Sequence, residues 1–349
     1  MSGQNLVECV PNFSEGRDQT IIRAIANAIE QVADIKLLDI DPGEGANRTV
    51  MTFVGPTEAV GEAAFQAIRT ASELIDMRQQ KGTHPRLGAT DVCPFIPLAG
   101  TEMATCVDLA VRVGERVGRE LSIPVYLYEN AAQQPNRENL ADIRKGEYEG
   151  LPDKLLNPAW RPDFGPAEFN AKAGATVIGA RNFLIAYNVN LNTKDKNPAQ
   201  IIAIKIRERG PLLRDEKGRV FRDRAGNPVY KQGLLKAIKA VGWFIDEYER
   251  AQISMNLVNY KITPPHVAFE ECRRQAELLG IKVTGSELIG LIPLEAILEA
   301  GVFYLQQRSK SITVDEIEII QAAIDGLGLD DLAEFNPHQK ILEYRLLSV

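Results

Sequence analysis

Two stretches far apart in the chain echo one another. GATDVCPFIPL, from Gly88 to Leu98, returns as GSELIGLIPL, from Gly285 to Leu294, and TVMTFVG at Thr49 returns as ISMNLVN at Ile253. The two pairs stand in the same order. That repetition asks for two similar halves, each of which must bury an apolar face of its own.

The patterning between the echoes fills in the halves. In the first, a strand over 5–12 leads through a polar turn into a helix with Ile21, Ile25, Ala28 and Val32 at helical spacing. Strands over 35–40 and 49–54 follow, then a helix from Thr57 carrying Val60, Ala64, Ala67, Ala71 and Leu74, and a strand over 91–98. The second half repeats the order with a strand over 183–189, a helix over 198–209, strands over 234–244 and 252–260, a helix with Ala268, Cys272 and Leu279 on one face, and the echo strand. The expected architecture is α+β or α/β, with two βαββαβ-type subdomains, helices outside, and sheets facing each other across a ligand groove. The boundary falls at 179–182, after the long Gly/Pro-rich stretch WRPDFGPAEFNAKAGATVIGA that begins at Trp160, a length of loop more often functional than idle. The division predicted is 1–181, 182–336 and a C-terminal tail, 337–349. Between 207 and 231, mixed charges and turn signals at Lys217-Gly218 and Gly226-Asn227-Pro228 predict a solvated hairpin, with a flap over the cleft as the alternative.

Composition removes several classes. A chain of 349 residues, 45% of them hydrophobic, can bury a substantial core, and a net charge of −7 argues against a nucleic-acid partner. MSGQNLVECVPNFSEGRD lacks the basic-then-apolar order of a leader, and no stretch approaches membrane-spanning length, so a cytoplasmic protein without a membrane partner is expected. Cys9, Cys93, Cys106 and Cys272 form no CxxC pair and read as reduced, packed thiols. Three scattered histidines give no metal-ligand spacing, and no P-loop or GxGxxG motif is present, so no metal is expected.

Two clusters carry chemistry. In KGTHPRLG, Pro85 pushes His84 toward extended backbone while Gly82 and Gly88 permit tight turns on either side, presenting the imidazole from a shaped loop. A presented histidine is a candidate general acid or base; a hydrogen-bonded structural histidine is the alternative reading of the same spacing. In LLDIDPGEGANRTV an apolar strand delivers Asp39 and Asp41 to a Gly-rich turn followed by Asn47 and Arg48. Such carboxylates often bond only to local backbone; alternatively, a carboxylate and a guanidinium are aimed at a polar ligand. His266 and His338 read as ordinary.

LVECVPNFSEGRD at Leu6, LLDIDPGEGANRTVMTFVG at Leu37, KGTHPRLGATDVCPFIPL at Lys81 and PVYLYENAA at Pro124 resemble the glutamate formimidoyltransferase (formiminotransferase) family. DFGPAEFNAKAGATVIGARNFLIAYNVNL at Asp163, VGWF at Val241 and GSELIGLIPLEA at Gly285 extend the likeness over nearly the whole chain. The resemblance implies transfer of the formimino group from N-formimino-L-glutamate to tetrahydrofolate, giving 5-formiminotetrahydrofolate and glutamate, in histidine degradation and one-carbon metabolism. It implies the single-function bacterial form, similar to the N-terminal part of formiminotransferase-cyclodeaminase, two α/β subdomains around a folate groove, and a homodimer through the first subdomain. It places the catalytic histidine on His84 and the folate segment on Gly165, Pro166, Ala167, Glu168, Phe169, Asn170, Ala171, Lys172, Ala173 and Gly174. Within that frame Asp41 is expected to steady the cationic formimino group, and Arg48 and Arg181 to bind substrate carboxylates. A related formyl-folate or N-formylglutamate activity and a non-catalytic folate-binding protein are the rival readings.

Overall fold

The computed structural model describes residues 5–98, 100–224, 226–308 and 315–347. They divide into two compact units, 1–183 and 184–349. The first contains β1 (Leu6–Cys9), β2 (Asn12–Phe13), α1 (Gln19–Glu30), β3 (Lys36–Gly43), β4 (Arg48–Pro56), α2 (Thr57–Leu74), β5 (Thr90–Pro97), α3 (Met103–Leu121), β6 (Val125–Glu129), α4 (Leu140–Arg144), α5 (Leu151–Leu156) and β7 (Thr176–Ala180). Its sheet runs β3–β4–β1/β2–β5–β7–β6, antiparallel except where β7 lies parallel to β5 and to β6. A core of Phe13, Phe53, Phe65 and Phe95 packs α1, α2 and α3 on one face. On the other, Tyr126, Tyr128 and Val177 meet Ile143 of α4 and Leu151 and Leu155 of α5, which fixes α4 over the start of β5.

The second unit contains β8 (Ile185–Leu191), α6 (Lys196–Ile206), β9 (Arg209–Leu212), β10 (Tyr230–Gln232), β11 (Ile238–Ile245), β12 (Arg250–Leu257), α7 (Pro265–Leu278), β13 (Val283–Ile289), α8 (Leu294–Gln307), α9 (Glu316–Leu327), α10 (Pro337–Lys340) and α11 (Leu342–Leu347). Its sheet order, β11–β12–β8–β13, matches β3–β4–β1–β5 strand for strand. The echoed segments therefore occupy equivalent places, β4 with β12 and β5 with β13. Both units have the βαββαβ order, and the first adds a parallel pair at its edge.

Several expectations move. Asp18 caps α1 through Thr20 and Ile21, so the helix starts at Gln19 and buries Ile22, Ile25, Ala26 and Ile29 most deeply, while Ile21 and Val32 of the expected stripe pack partly buried against the same core. Leu279 falls at the C-cap of α7, and Ala276 takes its place beside Ala268 and Cys272. The last part of the long 160–180 stretch, TVIGA, is a wholly buried strand, β7, because five small or β-branched residues fit between two parallel neighbours. Residues 337–347 are two short helices joined to the second unit, Ile292 bonding to Lys340 and Leu342 to Ile292. They are thus part of that unit and not a tail; the last two residues of the predicted 337–349 segment lie outside the described residues. β9 and β10 form an antiparallel hairpin with left-handed turns at Gly218 and Gly226. Among the described residues no helix is long and apolar enough to cross a membrane.

Candidate active site

Three loops separated in sequence are tied together at one end of the first sheet. Asn47, left-handed at φ 48°, closes the β3–β4 turn and accepts from Gly16 N at 3.0 Å. Its amide donates to Gln80 Oε1 at 2.5 Å and Lys81 O at 3.0 Å, while Gln80 donates to Glu15 Oε2 at 2.8 Å. Gly82 passes so close that a Cβ there would sit 2.1 Å from Ala46 O. Ser14 donates to Gly88 O at 2.7 Å. The NFSEG, GEGANR and KGTHPR segments are thus one surface, and only Asn and Gly suit two of its tightest points.

Asp91, at the start of β5, is fully enclosed. Its Oδ2 accepts from Arg48 Nη1 at 2.7 Å and from Arg144 Nη2, and its Oδ1 from Leu87 N at 2.9 Å and Arg144 Nε at 3.3 Å. Arg48 also donates from Nε to Asn12 Oδ1 at 3.0 Å. Burial alone would raise the Asp91 carboxyl, but the Arg144 and Arg48 guanidiniums overcome it and hold the group well below the usual carboxylate range. For Arg48 burial prevails over the attraction of Asp91, and with Arg144 nearby the guanidinium is lowered to about 10.

His84 is half-buried beside this cluster. Its Nδ1 lies 2.7 Å from Pro85 O, and since a carbonyl only accepts, Nδ1 carries the hydrogen and Nε2 the lone pair of the neutral ring. Burial, reinforced by Arg48 and Arg144 and partly opposed by Asp91, holds the imidazole well below the ordinary histidine range. Near neutral pH it is an unprotonated base.

Asp41 lies within β3 opposite Val50, two register positions before the Gly43–Arg48 pair, so the turn it was expected to border begins later. The 165–174 segment is stitched to the His84 loop at its far end: Ala89 N donates to Ala173 O at 2.8 Å and Ala175 N to Leu87 O at 3.2 Å. Gly174 is left-handed there, and a Cβ at that position would sit 2.3 Å from Leu87 O. Asn170 Oδ1 accepts from Ala173 N at 2.9 Å, Tyr148 donates to Ala171 O at 2.6 Å, and the partly exposed Phe169 ring lies 5.3 Å from Tyr148. Arg181 is not brought to His84. Its backbone bonds to Phe95 O, four residues beyond Asp91 and so about 13 Å along β5, and its guanidinium donates to Asn182 O at 3.0 Å.

Asp91, Arg144, Asn12 and Glu15 are the residues that spacing did not single out. A charge inside the apolar run DVCPFIPL was a signal for Asp91. Nothing local marks Arg144, which arrives from α4. His266 packs on Phe303 at 4.6 Å and His338 on Tyr344 at 5.3 Å, as ordinary residues do. All four cysteines are free and buried, Cys9 and Cys93 with sulfurs 3.5 Å apart.

Fold and site together define an α+β protein of two βαββαβ units, with a neutral histidine beside a buried arginine–carboxylate cluster in the first. The family model "Formiminotransferase domain, N-terminal subdomain" matches residues 6–181, and "Formiminotransferase domain" matches 186–347. The chain belongs to the formiminotransferase family. It is 49% identical over 339 residues to formimidoyltransferase-cyclodeaminase of Rattus norvegicus, covering 97% of this chain and 59% of that protein. The glutamate formimidoyltransferases of Thermoplasma acidophilum and Streptococcus pyogenes serotype M1 are 45% and 41% identical, each match covering 86% of this chain and 93% of the relative.

Proposed function

We propose that this chain is a glutamate formimidoyltransferase, transferring the formimino group of N-formimino-L-glutamate to N5 of tetrahydrofolate and releasing L-glutamate. One observation carries the reading: a histidine kept neutral, with its lone pair on Nε2, among fixed cations suited to an anionic substrate. N5 attacks the amidine carbon and a carbon–nitrogen bond forms. His84 Nε2 takes the proton that N5 sheds. As the tetrahedral carbon collapses, the bond to the glutamate nitrogen breaks and His84 returns the proton to that nitrogen. No covalent enzyme intermediate is needed, since orientation of two bound substrates lowers the barrier.

In this reading Asp41 stabilises the amidinium and its tetrahedral successor, a role that helps only where it favours the transition state. Arg48 holds a donor carboxylate, and Arg181, a strand length away, a more distant one. Residues 165–174 receive the folate, with Phe169 beside Tyr148 offering an exposed ring face. Tetrahydrofolate is the co-substrate, and the chemistry calls for no metal. A homodimer through the first unit and a cytoplasmic location complete the proposal.

The test is a spectrophotometric assay of the purified chain with tetrahydrofolate and N-formimino-L-glutamate, run beside the N-formyl donor. Turnover of the formimino donor is expected, and His84→Ala should lower kcat by about 10²- to 10⁴-fold. Preference for the formyl donor, or folate binding without turnover, would replace this reading with one of its rivals.

A further inference from the structure

The Asp91 cluster contains more positive charge than its own carboxylate neutralises. Two guanidiniums, with side chains 8% and 14% exposed, share one carboxylate that is 0% exposed, leaving an excess cation in a poorly solvated place. An uncompensated buried charge is strongly unfavourable, so such an arrangement calls for an anion. Asp91 cannot turn outward to meet a ligand, because both its oxygens already accept two hydrogen bonds each. Among the described hydrogen bonds none uses Nη2 of Arg48 or Nη1 of Arg144.

We propose that Arg48 of β4 and Arg144 of α4, both oriented by Asp91, form a two-pronged seat for one carboxylate of the donor substrate, with Asp91 as the positioning residue. The identity of the ligand rests on the formimidoyltransferase reading. A planar anion suits two guanidinium edges better than a single ammonium would, which selects a carboxylate as the ligand class. The seat also acts on the base. Charged groups acting on His84 include Arg48 from β4, Arg144 from α4 and Asp91 from β5. On its own loop Lys81 and Arg86 flank it, Arg86 being paired with Glu149 at 2.7 Å and Glu147 at 3.5 Å. A carboxylate on the seat supplies the missing negative charge and strengthens the hold of His84 on a proton, so donor binding readies it to receive one from N5.

The experiment is calorimetric titration of the full chain with L-glutamate, for wild type, Arg144→Gln and Arg144→Lys. It is paired with an NMR titration of the His84 ring with and without glutamate. Arg112→Gln, an exposed ion-pair change on α3, is the control. Arg144→Gln should weaken glutamate binding about tenfold or more. Glutamate should raise the His84 midpoint by about one pH unit in the wild type, and by less in Arg144→Gln. Glutamate affinity within twofold of wild type in Arg144→Gln, or an unmoved His84 midpoint in wild type, overturns the seat. Should Arg144→Gln fail to fold, Arg144→Lys decides, since it keeps the charge without the fork; undiminished affinity there overturns the proposal. A wild-type chain that transfers formimino groups while Arg144→Gln binds normally loses only this inference. A wild-type chain that binds neither glutamate nor N-formimino-L-glutamate loses the functional reading as well.

Discussion

Asp91 is the residue on which the site turns, since one enclosed carboxylate orients two cations and a backbone N–H of the histidine loop. Asp91→Ala removes the anion and leaves both guanidiniums in place, so urea unfolding of the first unit should show a loss of about 3–5 kcal/mol at neutral pH. Adding Arg144→Met should recover part of it, because the double variant buries one charge fewer. A cost below about 1 kcal/mol for the single change would mean that water screens the pair. The same residue shows what the sequence could disclose. His84 could be picked out as a candidate because a proline and two glycines shape its loop locally, but the spacing left a structural histidine open as well and only the family resemblance attached a role to it. Asp91 was half-legible, as a charge in an apolar run, but its two arginines lie on β4 and α4 and meet it only after the sheet has formed. Arg181 is the converse case: it adjoins the folate segment in sequence, yet its backbone bonds to Phe95 O, a strand length from Asp91 along β5.

At the scale of elements, the βαββαβ order was readable from periodicity, and the echoes marked equivalent strands. What escaped included α3, β6, α8 and α9, for which no element was expected, β7, hidden in a Gly/Pro-rich stretch because a strand buried on both faces has no alternation to show, and the helical 337–347 segment, too short for a periodic signal. The active-site loops are held by approach of backbone to backbone more than by side-chain packing. Gly82→Ala tests this directly, since its Cβ would have to displace Ala46 O from 2.1 Å. Overpacking of that kind should lower stability by about 1–3 kcal/mol. Turnover should fall further than stability alone explains, because the β3–β4 turn and the His84 loop must part. Unchanged kcat and melting temperature in Gly82→Ala would show that the two loops can separate freely.

At the scale of the whole molecule, each unit has its own core and each holds one of the two tryptophans, Trp160 in the first and Trp243 in the second. Trp243→Phe and Trp160→Phe therefore give chains whose fluorescence reports one unit at a time, which matters because two units need not unfold in one step. The histidines make their acid behaviour differ. His84 is held below its ordinary range in the folded protein by burial and by Arg48 and Arg144. Protons then prefer the unfolded chain: the stability contributed by keeping His84 neutral is complete above its unfolded value, near pH 6.5, and is lost as pH falls toward the folded one. The slope from a single group cannot exceed about 1.4 kcal/mol per pH unit. Urea midpoints of the Trp243→Phe chain should therefore drop on acidification below about pH 6.5, and His84→Asn should flatten that drop. The Trp160→Phe chain carries its own dependence from His266, which burial also lowers, and His84→Asn should leave it unchanged. Were the His84 substitution to alter both curves alike, the two units would unfold together and the histidine would be felt by the whole chain. Were it to alter neither, His84 would titrate as an ordinary exposed imidazole, and the neutral base on which the transfer mechanism depends would need another source.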